Sequence, residues 1–425
     1  MAFRLGASLL VSIRPCEQRN TGYFHLKTLR NNIGFIAATL YMLTAFAASA
    51  TPIPLYDVYR RSEGLSYGDL ALTAVVYFIG AITALLIFGR ISNHLGRKPV
   101  SLIAFGLSAV ATILLLDVNG AFPLVVARLL LGLSCGLASS AIAAYVVDSA
   151  PPALGWLSAV IVGNSPMVGL TLGALLSGFL VEYGPYPRML CYWIVLAEIA
   201  VVCALLLMGR ETVERKPGLV ASFRPTFSLP HADRRLYPIA ACLFVATWAL
   251  GGFFQAYGPS IAADQLGSQS TITAAIVFSS FLLPSAIGGP LSARLSPARA
   301  QRFGIVIFTL AVGGVIFAVK TSMIVLFLGM SAIAGAAQGV ALTGSIRSLM
   351  DGVASRDRAG ILSLIYATSY TGAAVTSFMA GQLSRFLDLF QLVSCYGALA
   401  VAACVITLVY AHEPQVKPAS DKGTI

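Results

Sequence analysis

Charge-free stretches alternate with short polar ones along most of the chain. Residues 33–53, 100–116 and 389–411 carry no Asp, Glu, Lys or Arg. Runs of about 17–23 such residues cross a hydrocarbon core as helix, whereas spanning strands would be about ten residues with alternating polarity. The pattern predicts twelve helices, at 33–54, 68–89, 99–117, 121–146, 155–181, 188–209, 236–259, 271–293, 303–320, 322–346, 360–384 and 389–411. Charged residues, Pro or Gly mark most of the boundaries. The fold expected is an all-α integral membrane protein.

Composition points the same way. The chain is 57% hydrophobic and 11% charged, where soluble domains carry about a quarter charged residues. It cannot give itself a polar surface, so its solvent is largely lipid. The net charge of +11 would suit nucleic acid only if a soluble basic domain held it, and the sequence has none. Lys and Arg gather instead before residue 33, in 90–98, 210–235, 294–302 and 347–358, and in the tail. The intervening loops hold Arg60, Arg61, Arg188, Lys320 and Arg385. This asymmetry places both termini in the cytoplasm of a multi-pass protein of the inner (plasma) membrane. Cys135, Cys191, Cys203, Cys242, Cys395 and Cys404 lie in spans without a CxxC and read as small core hydrophobes. No cofactor or metal is expected.

Residues 1–32 contain an apolar run, Leu5–Ile13, stopped by Arg14. It is too short to span and reads as part of a cytoplasmic extension. The polar stretch 210–235 separates bundles 33–209 and 236–411, and 412–425 forms a cytoplasmic tail. The two bundles echo one another. The decapeptide Gly89–Lys98, GRISNHLGRK, returns 200 residues later around Gly289, with Ser92 matching Ser292 and Leu95 matching Leu295. Gly132 and Gly136 match Gly335 and Gly339, and Gly169 matches Gly372. Small residues at such spacing are common where membrane helices pack closely.

GRISNHLGRK resembles the signature loop between helices two and three of the major facilitator superfamily. Arg128-Leu-Leu-Leu-Gly132 resembles that family's fourth-helix motif, and Ser165-Pro-Met-Val-Gly169 a degraded form of the fifth-helix motif of antiporter-type exporters. Asn93 stands where the family usually has Asp. The resemblance covers 33–411 and implies two parallel six-helix repeats around a central cavity. It also implies a secondary active transporter rather than an enzyme. Gly89, Arg90, Asn93, Gly96, Arg97 and Lys98 are then candidates for a gating loop, its cations reaching carbonyls or acids of the opposite half.

Two ionisable side chains lie inside spans, Arg128 and Glu198, and both are candidates for coupling. Intramembrane charge is costly and marks function by default, although Arg128 reads equally well as a brace and Glu198 as a neutral, hydrogen-bonded group. Asp69 and Asp148 sit at helix ends. Cavity candidates are Tyr41, Thr44 and Thr51 on helix one, Tyr77, Asn164, Trp248, Gln255, Gln338, Tyr366 and Tyr370. Together they describe an apolar, aromatic chamber with scattered hydrogen-bonding groups. Pro52, Pro166, Gly169, Pro259 and Pro284 are hinge candidates, with Pro259 expected to end helix seven.

The function expected is export of a small organic, amphipathic or aromatic solute by proton antiport, performed by a monomer. The alternatives are a proton-coupled importer of a sugar-like or organic-acid nutrient, and a membrane sensor on a transporter scaffold. Partners are the solute, lipid and protons, with no nucleic acid. No G-x-x-x-x-G-K-[ST] is present, which excludes a P-loop drive.

Overall fold

The computed structural model describes the backbone of residues 17–151, 155–214, 217, 222–224, 235–350, 353 and 355–411, excepting the side chains of 17–31, 155–156 and 355–359. The start of the N-terminal extension, most of the 210–235 linker and the 412–425 tail lie outside the described residues. Twelve long helices are present among them. They are α1 Glu17–Ala50, α2 Tyr67–Thr83, α3 Arg97–Leu115, α4 Ala121–Leu137, α5 Gly155–Tyr183, α6 Leu190–Met208, α7 Tyr237–Asp264, α8 Thr271–Ser285, α9 Pro297–Lys320, α10 Ile324–Met350, α11 Ser355–Leu383 and α12 Leu389–Tyr410. One π-helical segment, Ala84–Phe88, extends α2, and another, Ala138–Ile142, joins α4 to a last helical piece, Ala143–Ser149.

Several boundaries differ from the sequence expectation, and the start of α1 and the end of α7 show why. Helix α1 begins at Glu17 rather than 33, because Lys, Arg, Glu and Gln are good helix formers and apolarity marks only the lipid-crossing part. Helix α7 runs through Pro259 to Asp264 instead of stopping at the proline. Neighbouring helices bury that segment, where the lost backbone bond is tolerated. Pro52 leads from α1 into a short 3₁₀ turn, Pro166 lies inside α5, and Pro284 stands one residue from the end of α8.

Among the described residues, eleven helical segments are long and apolar enough to cross a membrane, and α11 is not one of them. Three of its hydroxyls return to its own backbone: Thr368 to Leu364 O, Ser369 to Ile365 O and Thr376 to Gly372 O. Outward-facing residues such as Val325, Leu310 and Val405 are apolar and exposed, which forms the lipid-facing belt.

The repeat seen in the glycines is a packing repeat. A Cβ on Gly132 would stand 2.1 Å from Tyr77 O and one on Gly136 2.4 Å from Ala81 O, so α4 meets α2 backbone to backbone. In the second half a Cβ on Gly335 would stand 1.9 Å from Phe281 O and one on Gly339 2.2 Å from Ser285 O, which sets α10 on α8 in the same way. The matching pair Gly169 and Gly372 seats α5 on Leu43 of α1 and α11 on Val245 of α7. Across the halves, α2 packs on α11 and α5 on α8.

Candidate functional site

A central cavity of about 250 Å³ lies between the halves. The first half contributes Met42 and Phe46 of α1, Tyr77 and Phe78 of α2, Ser139, and Pro166, Met167 and Leu170 of α5. The second contributes Trp248 and Gln255 of α7, Phe278 and Leu282 of α8, Gln338 of α10, and Tyr366 and Tyr370 of α11. A chain of rings crosses the boundary between them. Phe78 lies 6.1 Å from Tyr370, Tyr370 meets Trp248 edge-on at 4.9 Å, and Tyr366 lies 6.4 Å from Tyr370. Gln255 and Gln338 are buried at the wall, and each leaves an atom unpartnered: Nε2 of Gln255, a donor, and Oε1 of Gln338, an acceptor. No Asp, Glu, Lys, Arg or His lines the cavity among the described residues.

Six of the ten cavity candidates, Tyr77, Trp248, Gln255, Gln338, Tyr366 and Tyr370, are thus gathered here. The other four lie elsewhere. Tyr41 turns to α3, where its hydroxyl donates to Ser101 O at 3.0 Å and its ring stacks on Phe105. Thr44 and Thr51 line a lateral groove on the far side of α1, and Thr51 Oγ1 donates to Ala47 O. Asn164 Nδ2 donates to Val160 O. The polar residues of helix one do share a face, but that face turns away from the cavity. At 3.6 residues per turn Met42, Phe46 and Ser49 lie opposite Leu40, Ala47 and Thr51. Phe78 and Phe278 were not among the sequence candidates. Nothing distinguishes them from other core phenylalanines until helix rotation is known.

Arg128 is completely buried. Its Nη1 donates to Ser49 O at 2.5 Å, and the guanidinium lies over the Tyr77 ring, 4.5 Å from the centroid. Nε and Nη2 have no partner. The charge therefore stands one ring behind the cavity wall, tying α4 to α1 and α2. Glu198 lies in the groove with Thr44 and Thr51, on the opposite side of α1 from Ser49.

The decapeptide loop is knotted to its own half. Gly96 adopts φ +102°, and a Cβ there would come within 2.7 Å of Glu211 Oε2. Only glycine reaches that conformation without strain. Glu211 accepts from the backbone N–H of Arg97 at 2.8 Å and of Lys98 at 3.0 Å, which satisfies the open N-terminus of α3. Arg97 Nε donates to Asp148 Oδ2 at 3.1 Å and Nη1 to Ser92 Oγ at 2.6 Å, while Lys98 Nζ caps Leu207 O and Gly209 O at the end of α6. Gly89 packs on Leu85 and Ser140. Arg90 O accepts from Asn93 N–H within the turn. Arg97 and Lys98 thus meet groups of the first half and, at Glu211, of the start of the linker, where the sequence suggested reach to the opposite half. In the second copy Arg347 Nη1 donates to Ser292 O and Leu295 O. Truncating Glu211→Ala should lower stability by about 0.5–2 kcal/mol, the range for a lost helix cap. Thermal melting in detergent checks this, and an unchanged midpoint would show the cap to be dispensable.

Opposite the loop face, the halves are tied together. Asp264, the last residue of α7, accepts from Arg60 Nη2 at 2.8 Å, Arg61 Nη2 at 3.2 Å and Tyr67 hydroxyl at 2.6 Å. Asp57 holds the same two arginines, each at 2.7 Å. Nearby, Glu182 of α5 accepts from Ser270 Oγ at 2.8 Å and Thr271 N–H at 2.9 Å, and Thr271 Oγ1 donates to Gly178 O at 2.9 Å. Asp69 is spent locally, in a capping box with Ser66.

The model for the Major Facilitator Superfamily matches residues 34–375. The chain belongs to the major facilitator superfamily. As a member it is a transmembrane transporter and not an enzyme. Among curated proteins it is 29% identical over 162 residues to the arabinose-proton symporter of Bacillus subtilis (strain 168), across 33% of each chain. It is 28% identical over 119 residues to vacuolar protein sorting-associated protein 73 of Saccharomyces cerevisiae, across 28% of this chain and 24% of that one. These matches span a third or less of the relatives' length. Of solved folds, the xylose transporter XylE from E. coli in its inward open conformation superposes with TM-score 0.70 at 14% identity, covering 90% of this chain and 97% of the other. The nucleoside transporter NupG superposes with TM-score 0.68 at 12% identity, covering 89% and 100%. Where the two halves meet, this chain presents an uncharged, largely aromatic box whose wall includes the amides of Gln255 and Gln338.

Proposed function

We propose that this transporter moves an uncharged organic solute with a flat apolar face and a hydrogen-bonding edge, by alternating exposure of the central cavity. One observation carries the reading: Gln255 and Gln338, each with a buried amide atom that lacks a partner, line a cavity whose other walls are mostly aromatic or aliphatic and carry no formal charge. A buried unpaired donor and acceptor favour a solute that supplies the complementary pair, and discriminate against one that cannot. Trp248, Tyr370 and Phe78 offer ring faces to its apolar side. A charged solute would leave its charge unmatched here. With the basic loops assigned to the cytoplasm, the Asp264 and Glu182 contacts close the outer side, and this conformation is the inward-facing one.

Export by proton antiport is supported by the Ser165–Gly169 motif. Proton-coupled uptake of a sugar-like solute is supported by the amide pair, and by the symporter and the xylose and nucleoside transporters it is similar to. Flux in proteoliposomes of labelled arabinose, xylose and uridine, with a pH gradient imposed in either direction, separates them. Accumulation down an inward proton gradient marks symport, and gradient-driven expulsion marks antiport. Absence of flux for every neutral solute, beside transport of a charged one, would overturn the proposal. Gln255→Ala should raise the half-saturation constant about 5–30-fold, the equivalent of one net hydrogen bond of about 1–2 kcal/mol, with little change in the maximal rate. An unchanged constant would remove Gln255 from the site.

A further inference from the structure

A second concavity, a groove of about 670 Å³, lies on the flank of the first half between α1, α5 and α6. Its walls are aliphatic, and Leu172, Leu176 and Val201 along it are 53%, 42% and 59% exposed, so it opens to the lipid belt. Glu198 is its single carboxyl. It stands eight residues into α6, about 12 Å along the axis from one end and about 15 Å from the other, which is bilayer depth. Glu198 makes no hydrogen bond or ion pair among the described residues. Of the three hydroxyls along the groove, Thr51 spends its own on Ala47 O and Ser177 on Thr51 O, and Thr44 supplies the third.

The groove and the central cavity do not communicate through this wall. Gly173 and Gly169 seat α5 directly on Ala47 and Leu43 of α1, backbone to backbone, and the cavity residues Met42 and Phe46 lie beyond that contact. A ligand here would occupy a site of its own, whatever the central cavity carries.

We infer that the groove binds a lipophilic amine, its alkyl body along Leu172, Leu176 and Val201 and its nitrogen on the Glu198 carboxyl. A lone charge is costly in hydrocarbon, and a lone neutral carboxyl there forfeits its hydrogen bonds. An amine removes both costs. Whichever partner carries the proton, the pair is neutral as a whole, and if the acid gives it up, one O–H bond breaks as one N–H bond forms. An acyl chain fills the apolar walls but leaves the carboxyl unmet, and an anionic amphiphile adds a like charge. The geometry selects the base.

The test uses the full chain in phosphatidylcholine vesicles with two photoreactive probes, a twelve-carbon primary amine bearing a mid-chain diazirine and the matching alcohol. Labelled positions are read by peptide mass spectrometry. The amine is expected to mark Leu172, Leu176 or Val201 about tenfold more than lipid-facing positions elsewhere, such as Leu310 or Val405, as befits a charge-assisted contact. Glu198→Gln should bring it down to the level of the alcohol. Amine and alcohol labelling alike in the wild-type chain would overturn the inference without recourse to any variant. Equal amine labelling of wild type and a Glu198→Gln protein of unchanged melting temperature would do so too.

Discussion

Gly335→Ala and Gly132→Ala should each destabilise the protein by about 3 kcal/mol or more, at the upper end for overpacking. The added methyl would stand 1.9 Å from Phe281 O in one case and 2.1 Å from Tyr77 O in the other. Both obstacles are backbone carbonyls, which no rotamer change can move. The helices must separate, and a separated pair loses contact along its whole length. Gly106 in α3 and Gly313 in α9 supply the control, since nothing stands within 4 Å of a Cβ there. Alanine at those positions should hold or gain stability, by up to about 1 kcal/mol from helix propensity. Melting in detergent, followed by size exclusion, checks all four variants together. If the two pairs melt alike, the close approach of α4 to α2 and of α10 to α8 does not carry the stability assigned to it. Gly132→Ala has a further consequence, because Tyr77 lines the cavity and covers Arg128. Any surviving protein should transport poorly.

Asp264→Asn should release the closed face. The carboxylate draws together Arg60, Arg61 and Tyr67 across the halves, while Asp57 continues to hold both arginines after the change. The loss therefore falls on the contact between halves rather than on the folding of either. Arg61 is 45% exposed and Asp264 26%, so solvent screening leaves about 1–2 kcal/mol for the set, a shift of about 5–30-fold toward the state open on that side. The reporter is Ser260→Cys, a fully buried position near the end of α7, read by its rate of modification by an impermeant thiol reagent above the native-cysteine background. Modification should speed up in the Asp264→Asn protein, and in the wild type as salt is raised. A rate indifferent to both would show that the ion pairs do not hold this face closed.

Where the lipid dictates the pattern, the fold is plainly legible. Apolarity marks every span but α11, charge marks most of the ends, and backbone-to-backbone packing demands glycine, so the 132/335 and 136/339 pairs report real contacts. Quantities set by tertiary packing are harder to read. The rotation of α1 about its axis decides that Met42 and Phe46, rather than Thr44 and Thr51, face the cavity, and no local signal encodes it. Helix α7 passes its proline because neighbours shelter it. Asp264 and Glu211 act through partners distant in sequence. The adjacent Arg60 and Arg61, the densest cation pair on their side, were the one hint that an acid had to meet them.

The amide pair also divides labour between the sister halves. Gln255 and Gln338 both belong to the second bundle, as does Trp248, while the first supplies mostly aliphatic and aromatic surface together with the braced arginine and the knotted loop. On the proposed reading the halves match as scaffolds, while hydrogen bonding to the cargo falls to the second of them. Choice of solute should therefore travel with residues 236–411 in a chimera, and a lineage could exchange one cargo for another without disturbing the machinery that moves it.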